Sequence, residues 1–288
     1  MPVLVAGAAL VAVTAAVMLT RGSDGPRGGA AAGGVAPAAA AIGGDLHSLA
    51  ADPADPARLF VGGHQAVGES TDGGRTWRLV DSLANADAMG WAFDATTVWV
   101  SGHPGLNHST DGGRTFRRAN AGLPDTDVHA FGASGPHLYG ASPAVGVFAS
   151  SDGGATWEVR TREAGQAFFG RILVDPRDLA HLVAADARAG PVESADGGRT
   201  WRRLGGMAAA TWVAWAGGDP SRLVASGPRG AARSSDGGRS WEPLFLPEGA
   251  SLVEASPADA ERLYAAVLSD GRASVWASAD GGRTWARP

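Results

Sequence analysis

The stretch Ser70-Thr-Asp-Gly-Gly-Arg-Thr-Trp77 decides the fold, because the chain of 288 residues contains it in six versions. The other copies occupy residues 109–116, 150–157, 194–201, 234–241 and 278–285. Their aspartates recur at intervals of 39 to 44 residues, as Asp72, Asp111, Asp152, Asp196, Asp236 and Asp280. A nearly fixed period around forty residues is typical of a repeat architecture built from similar structural units.

Each copy also has the chemistry of a hairpin turn. Its two glycines can adopt a positive φ without steric cost, and its Ser and Asp side chains can bond nearby backbone N–H groups. The final aromatic residue, Trp77 in the first copy and Phe116 in the second, provides a large apolar anchor for the following strand. We therefore interpret the six aspartates as structural residues of turns.

The repeated octapeptide resembles the Asp-box, or BNR repeat, of sialidases, sortilin-type receptors and related β-propellers. In those families the box lies on the turn between the third and fourth strands of a blade. The resemblance covers residues 42–288 and implies an all-β fold, a six-bladed β-propeller of four-stranded antiparallel blades. The first unit predicts strands at Leu46–Ala51, Arg58–Gly62, Ala66–Ser70 and Thr76–Val80, and the chain would end with a short strand, Thr284–Pro288.

The first forty residues have a different composition. Val3–Leu19 is an uncharged apolar run, so residues 1–20 are predicted to form an apolar helix that acts as an export signal or an N-terminal membrane anchor. Residues 21–41 are rich in Gly, Ala and Pro and are interpreted as a flexible linker. These patterns predict an extracytoplasmic protein, either membrane-anchored or secreted, which contacts the membrane through its N-terminal segment.

The overall composition excludes two classes of function. A formal net charge of −5 and the lack of a basic stripe argue against a nucleic-acid partner. The sequence has no cysteine, which excludes disulfides and thiolate catalysis.

A set of polar residues recurs where the innermost strand of each of the first three units begins. His47, Met89 and His129 occupy this position, and each follows an aspartate by two residues (Asp45, Asp87 and Asp127). His64 and His103 follow the second strands of units one and two, so we expect them at the same end of the channel. Side chains two apart on a strand share a face, so each aspartate is expected beside its own His or Met.

These residues predict a metal site at the channel mouth of the first three blades. Imidazole with thioether suits copper, whereas imidazole with carboxylate suits zinc. The metal ligands would be His47, His64, Met89, His103 and His129. The alternative is that duplicated units inherited a structural Asp-x-His turn.

A glycosidase site is the second interpretation. Sialidase chemistry needs three arginines and a tyrosine nucleophile, but Arg171 is the only arginine at or beside an inner-strand entry, and Tyr139 and Tyr264 occupy packing positions. Another glycosidase could take a catalytic carboxylate pair from Asp45, Asp87, Asp127, Glu163 and Glu254. Sugar-stacking candidates are Trp91, Trp212 and Trp215, and the ligand-binding set comprises Asp45, Asp87, Asp127, Trp91 and Arg171.

Further motifs resemble a family of exported bacterial Asp-box proteins commonly labelled glycosyl hydrolase or exo-sialidase-like. They are His47-Ser-Leu-Ala-Ala-Asp-Pro53, Met89-Gly-Trp91, Ser101-Gly-His-Pro-Gly105, Asp127-Val-His-Ala-Phe131 and His137-Leu-Tyr-Gly140. Photosystem II assembly factors of the Asp-box type are a more distant resemblance, and they act by binding. The sequence thus predicts a module that binds a small ligand, metal or glycan, with a glycoside hydrolase and a platform for an exported protein partner as alternatives.

Overall fold

The structure is a computed structural model that describes residues 38–94 and 96–288. The predicted N-terminal helix, and the predicted linker up to residue 37, lie outside the described residues. Within the described ranges, no helix is long and apolar enough to cross a membrane. The all-β prediction is confirmed, because these residues form strands and only two single-turn 3₁₀ segments, Asp81–Leu83 and Ala216–Gly218.

The strands fall into units of four, one unit for each Asp-box. A short strand, β1 (Ala40–Ala41), precedes them. Unit 1 contains β2 (Leu46–Ala51), β3 (Leu59–Gly63), β4 (Val67–Ser70) and β5 (Arg78–Leu79). Unit 2 contains β6 (Asp87–Phe93), β7 (Val98–His103), β8 (Gly105–Ser109) and β9 (Arg117–Arg118). Unit 3 contains β10 (Ala130–Ser134), β11 (His137–Ser142), β12 (Gly146–Ser150) and β13 (Glu158–Thr161).

The second half of the chain repeats this order. Unit 4 contains β14 (Phe168–Asp175), β15 (Asp178–Asp186), β16 (Gly190–Ser194) and β17 (Arg202–Arg203). Unit 5 contains β18 (Trp212–Trp215), β19 (Leu223–Gly227), β20 (Gly230–Ser234) and β21 (Glu242–Leu244). Unit 6 contains β22 (Ala250–Ala255), β23 (Leu263–Ser269) and β24 (Arg272–Ser278). Neighbouring strands within a unit are antiparallel, and a short parallel pairing of β10 with β14 joins units 3 and 4.

Unit 6 takes its fourth strand from the beginning of the described chain. Ala40 and Ala41 of β1 pair with Ala273 and Arg272 of β24. The predicted final strand, Thr284–Pro288, is wrong, since this segment makes only an isolated bridge between Ala286 and Ala277. The last two residues of the predicted linker, Ala40 and Ala41, belong instead to β1, and Ala40 is 2% exposed. The sequence did not predict this strand, because its partner lies more than two hundred residues away and no local pattern indicates the pairing.

The first strands of the six units lie closest to one another. β2, β6, β10, β14, β18 and β22 contact in this order, and β22 also contacts β2, so the contacts form a closed cycle. Large side chains such as Phe60, Trp91 and Trp212 are fully buried between units. Packed repeats of this kind need their neighbours to bury their faces.

The six Asp-boxes share one hydrogen-bond pattern. In the first box, Asp72 Oδ1 accepts from the Ser70 hydroxyl and from the Thr76 amide, while Oδ2 accepts from the Thr76 hydroxyl at 2.6 Å. In units 1 to 5 the box connects the third strand to the fourth, as the resemblance implied, whereas in unit 6 β1 provides the fourth strand. Hydrogen bonds from the Thr or Ser four residues later, first of all from its hydroxyl, lower the pKa of Asp152, Asp196 and Asp236 to about 2.

Candidate metal centre

Asp87 lies at the centre of a histidine cluster formed by units 1 to 3. It begins β6, and its cross-strand partner in β7 is His103. Its carboxylate lies 2.5 Å from His47 Nδ1, 3.1 Å from His103 Nδ1 and 3.4 Å from His64 Nδ1. Burial opposes ionisation of Asp87, which is 5% exposed, but hydrogen bonds from His47 and His103 outweigh it and lower the pKa of the carboxyl. Asp87 is therefore an ionised acceptor that orients three imidazoles.

The prediction that each aspartate lies beside the residue two positions later holds for Asp127 and Asp45, but not for Asp87. Asp127 Oδ1 lies 2.6 Å from His129 Nε2, as expected. Asp87 contacts histidines of unit 1 and of its own second strand instead of Met89. The register of β6 shifts between Ala88 and Gly90, and this irregularity breaks the two-residue alternation at Met89.

His103, Asp127 and His129 form the first group of converging donor atoms. Asp127 Oδ1 lies 2.5 Å from His103 Nε2 and 2.6 Å from His129 Nε2. That oxygen is buried and has no hydrogen-bond partner among the described residues, so neither short contact has hydrogen-bond geometry. One ligand atom from each of the three residues lies within 4.8 Å of the others. This convergence of lone pairs is the arrangement that a cation needs.

Asp45, His47 and His64 form the second group, and their donor atoms also lie within 4.8 Å of one another. Asp45 is exposed and the His64 side chain is 59% exposed, so this group opens to solvent. His47 and His64 meet edge to face with ring centroids 5.6 Å apart, as do His103 and His129 in the first group. Because Asp87 contacts Nδ1 of both His47 and His103, their Nε2 atoms remain available to a metal.

The pKa values of the two histidines in the first group are shifted in opposite directions. Burial lowers the pKa of His129, which favours the neutral imidazole that binds metals. Burial also opposes charging of His103, but the carboxylates of Asp87 and Asp127 outweigh it and raise the pKa of that imidazole. Metal binding at this site would release the proton of His103, and the charge of the metal ion would replace the charge of that proton beside the two carboxylates.

Several other predicted site residues lie elsewhere. Met89 is 6% exposed at the strand irregularity, and its role as a ligand stays a prediction. Glu163 is exposed on the loop after β13. Trp91 cannot provide a ligand surface, because it is fully buried and stacked on Phe60 with a centroid distance of 4.7 Å. Trp212 and Trp215 are also buried, which favours packing between units over stacking on a sugar.

Arg171 and Glu254 form a buried pair between units 4 and 6. Arg171 Nη1 donates to Glu254 Oε1 at 3.1 Å, and Trp212 Nε1 of unit 5 donates to Oε2 at 2.9 Å. Glu254 is fully buried, and burial raises its pKa to about 7 despite Arg171. These contacts place both residues between the inner strands, and the roles of Arg171 as a ligand-binding residue and of Glu254 as a catalytic carboxylate stay predictions.

The sequence interpretation did not identify Asp87 as the common acceptor, although it placed all the participating residues at one end of the channel. The contact between Asp87 and His47 joins two units across 40 residues. The signal that indicates it is the alignment of the units, which brings the entries of β2 and β6 side by side.

Comparison with known proteins finds that part of the chain is similar to BNR-repeat propellers. The family model described as photosynthesis system II assembly factor YCF48 matches residues 48–173, less than half of the chain. The matched region includes units 2 and 3 and most of unit 1, and so most of the histidine cluster. Among curated proteins, no sequence matches the chain.

Solved structures show the same fold at low identity. The GH74 xyloglucanase from Xanthomonas campestris is 17% identical with a TM-score of 0.57, and the match covers 86% of this chain and 46% of that one. YCF48 from Cyanidioschyzon merolae is 20% identical with a TM-score of 0.52 and 84% coverage of both chains. A structure of YCF48 bound to a D1 peptide is 18% identical with a TM-score of 0.51, covering 86% of this chain and 82% of that one.

These likenesses confirm the β-propeller prediction. The chain spans about half the length of two GH74 structures that it matches, at 46% of each. At these identities the comparisons establish the fold, and the site has to be interpreted from its own residues.

Proposed function

We propose that this protein is a β-propeller that binds a divalent transition-metal ion at the mouth formed by units 1 to 3. The supporting observation is the convergence of His103 Nε2, Asp127 Oδ1 and His129 Nε2 at one point of the structure. The group of Asp45, His47 and His64 extends the site on the other side of Asp87. In this proposal the six units are the six blades of one propeller, closed by pairing of β1 with β24.

Zinc is the metal that these donors fit best. Two imidazoles and one carboxylate are a common ligand set for zinc sites that keep an open position for water or a bound ligand. Copper also accepts imidazole, and a thioether from Met89 would favour it, but the short contacts in the cluster are all made by histidines and aspartates. We therefore expect Zn²⁺ to use both the imidazoles and the carboxylate, whereas Cu²⁺ would compete with it for the imidazoles.

The open coordination would make the site a ligand-binding centre. Three protein donors leave at least one position on a tetrahedral ion, where a water or an anionic group can bind. Two of the carboxylates suggested for a glycosidase mechanism have other partners, since Asp87 hydrogen-bonds with His47 and His103 and Glu254 is buried against Arg171. We therefore propose binding without sialidase chemistry.

The location of the protein belongs to the same proposal. We infer export and tethering of the propeller by residues 1–20, because that segment is apolar and uncharged up to Arg21. Attachment of a reporter to the C-terminus, followed by protease treatment of intact cells, tests this inference. Protection of the reporter from the protease would contradict it.

A peptide-binding platform is a second candidate, favoured by one observation. The YCF48 family model matches units 1 to 3, and one YCF48 structure contains a D1 peptide. Copurification of an exported protein with the wild-type chain, but not with the His103→Ala/His129→Ala variant, would indicate that the two candidates describe one site.

Metal analysis of the full-length chain, purified without a histidine tag, tests the principal proposal. After equilibration with Zn²⁺ and gel filtration, the wild-type protein should retain at least one equivalent of zinc. The His103→Ala/His129→Ala variant should lose the first equivalent. His137→Ala is the matched control, because His137 begins β11 outside both groups of converging donors.

A further inference from the structure

A second pocket lies between units 5 and 6, far along the chain from the histidine cluster. The pocket lies beside a residue whose structural position is shared by all six units. The residue at this position on the second strand pairs with the residue three places before the Asp of the box. The six residues at this position are Phe60, Trp99, Tyr139, Val183, Val224 and Tyr264.

These side chains pack against the next unit around the ring. Phe60 lies against Phe93 of unit 2 with ring centroids 6.2 Å apart, and the Tyr139 hydroxyl donates to the Leu179 carbonyl of unit 4. Tyr264 likewise reaches the Pro56 carbonyl of unit 1. The position equivalent to Phe93, opposite the second strand of each unit, is held by Ala51, Phe93, Ala133, Val174, Trp215 and Ala255.

The boundary between units 5 and 6 lacks an aromatic residue at both positions. Val183 of unit 4 is also small, but Trp215 of unit 5 occupies the facing position there. At the next boundary Val224 faces Ala255, and both belong to one core cluster. A cavity of about 250 Å³ opens beside Val224, with Leu223 and Leu263 in its wall. An apolar cavity of roughly 150 Å³ is large enough for benzene, so this space accepts one ring with a short chain.

Unit 5 also differs from units 1 and 4 in the charge of two paired positions on its second and third strands. In unit 1, Arg58 of the second strand binds Glu69 of the third at 2.7 Å. In unit 4 the equivalent pair is His181 and Glu193, at 2.9 Å. Unit 5 carries arginine at both places, Arg222 and Arg233, and both line the cavity.

Arg283 of the sixth Asp-box completes a rim of three arginines around the cavity. The two glutamates at the rim are held loosely. Glu261 lies 3.5 Å from Arg222 and 3.7 Å from Arg283, and its side chain is 51% exposed. Glu242, 74% exposed, lies 3.2 Å from Arg233. Three cations against two carboxylates leave an excess of one positive charge beside an apolar space.

Comparison with unit 1 indicates which chemical group unit 5 lacks at this position. There the Arg58 guanidinium covers the ring of Phe60 at 4.7 Å, a cation–π contact. In unit 5 Arg222 occupies the position of Arg58, whereas Val224 replaces the ring. A ligand that supplies a ring and an anionic group would restore the contact and neutralise the rim.

We propose that the cavity between units 5 and 6 binds a small aromatic carboxylate. The ring would lie over Val224 below Arg222, and the carboxylate would accept hydrogen bonds from Arg222 and Arg283. Guanidinium groups bind carboxylates with good geometric match, often through two parallel hydrogen bonds. This pocket shares no residue with the metal centre, so the two proposals stand or fall separately.

Calorimetric titration of the full-length protein with 3-phenylpropanoate tests the proposal, with 3-phenylpropanamide as the neutral probe. A ligand of this size is expected to bind with a Kd on the order of 1 mM. The acid should bind about tenfold more tightly than the amide, because the amide forms no charge-assisted bond with the rim. The Val224→Phe variant, which imitates Phe60, should fill the cavity and abolish binding.

Charge variants keep the test decisive if Val224→Phe fails to fold. Arg222→Gln should weaken binding of the acid about tenfold, while Arg262→Gln should leave it unchanged. Arg262 occupies the equivalent position in unit 6 and does not line the cavity. Equal affinity of acid and amide, or unchanged binding in a folded Val224→Phe protein, would overturn the proposal. So would the absence of saturable binding.

Discussion

The Asp87 carboxylate lies 3.1 Å from His103 Nδ1, while Nε2 of the same imidazole lies 2.5 Å from Asp127. His103 is therefore held between the buried carboxylate of Asp87 and the partly exposed carboxylate of Asp127. A carboxylate behind a ligating histidine fixes the orientation of the ring and increases its basicity. We interpret Asp87 as the residue that positions the metal ligands of both groups.

Replacement of Asp87 by asparagine should weaken zinc binding without removing a ligand. The expected loss of affinity is about 10- to 100-fold, the usual effect of removing a carboxylate partner from a metal-binding histidine. Competition with a fluorescent zinc chelator measures it, and His137→Ala is the control. Unchanged affinity in Asp87→Asn would show that the histidines do not depend on this carboxylate for their orientation.

The buried pair of Arg171 and Glu254 predicts a pH-dependent stability. The pKa of Glu254 is raised by burial to about 7 in the folded protein, above an ordinary value of about 4.3. The folded state thus holds this proton more tightly, and the stabilisation is complete below pH 4 and lost as the pH rises through 7. Between pH 5 and 8 the contribution should fall by roughly 2 kcal/mol.

The Glu254→Gln variant isolates this effect, because other groups titrate in the same range. Urea unfolding at pH 5 and pH 8 should show a smaller decrease of the free energy of unfolding in the variant than in the wild type. Equal pH dependence in both proteins would mean that Glu254 titrates normally in the fold.

The Asp-boxes predict instability in acid. The pKa of Asp196 is lowered to about 2, first of all by the Thr200 hydroxyl, which donates to Oδ2 at 2.6 Å. A lowered pKa stabilises the fold above the ordinary value near 4, and this stabilisation disappears as the pH falls towards 2. Thr200→Val should raise the pKa of Asp196, as measured by a ¹³C NMR titration of its carboxyl group. Thr96→Val, outside the boxes, should not change it.

The pairing of β1 with β24 predicts that the first described residues stabilise the propeller. Ala40 is buried, and Arg272 donates to the Ala39 carbonyl at 3.0 Å. A chain that begins at residue 42 loses these contacts, whereas one that begins at residue 36 keeps them. The shorter chain should melt about 2 to 4 °C lower, which corresponds to a loss of about 1 kcal/mol. Identical melting temperatures would assign no stabilising role to this strand.

Local patterns in the sequence predicted much of the fold. The strand Leu46–Ala51 has the predicted bounds, and the Asp-box turns of units 1 to 5 connect third and fourth strands as expected. These features depend on residues within one unit, where strand alternation and turn chemistry are visible. The contribution of β1 to unit 6 was missed, because its partner Ala273 is more than two hundred residues away.

The sequence predicted which residues form the site, but not which of them contact one another. Alignment of the repeats brought Asp87, His103 and Asp127 to one end of the channel. That alignment did not reveal the strand irregularity at Met89. At this irregularity, Asp87 contacts His47 instead of Met89. The contact between Arg171 and Glu254 joins units that are not neighbours along the chain, so no pattern within a unit indicated it.

The central claim is that units 1 to 3 hold a metal ion between His103, Asp127 and His129. The most direct measurement is the zinc content of the full-length protein and of His103→Ala/His129→Ala, purified without a histidine tag and equilibrated with Zn²⁺. The proposal predicts at least one equivalent of zinc in the wild type and in His137→Ala, with one equivalent fewer in the double variant. Equal zinc content in all three proteins, or no zinc in any, would contradict it.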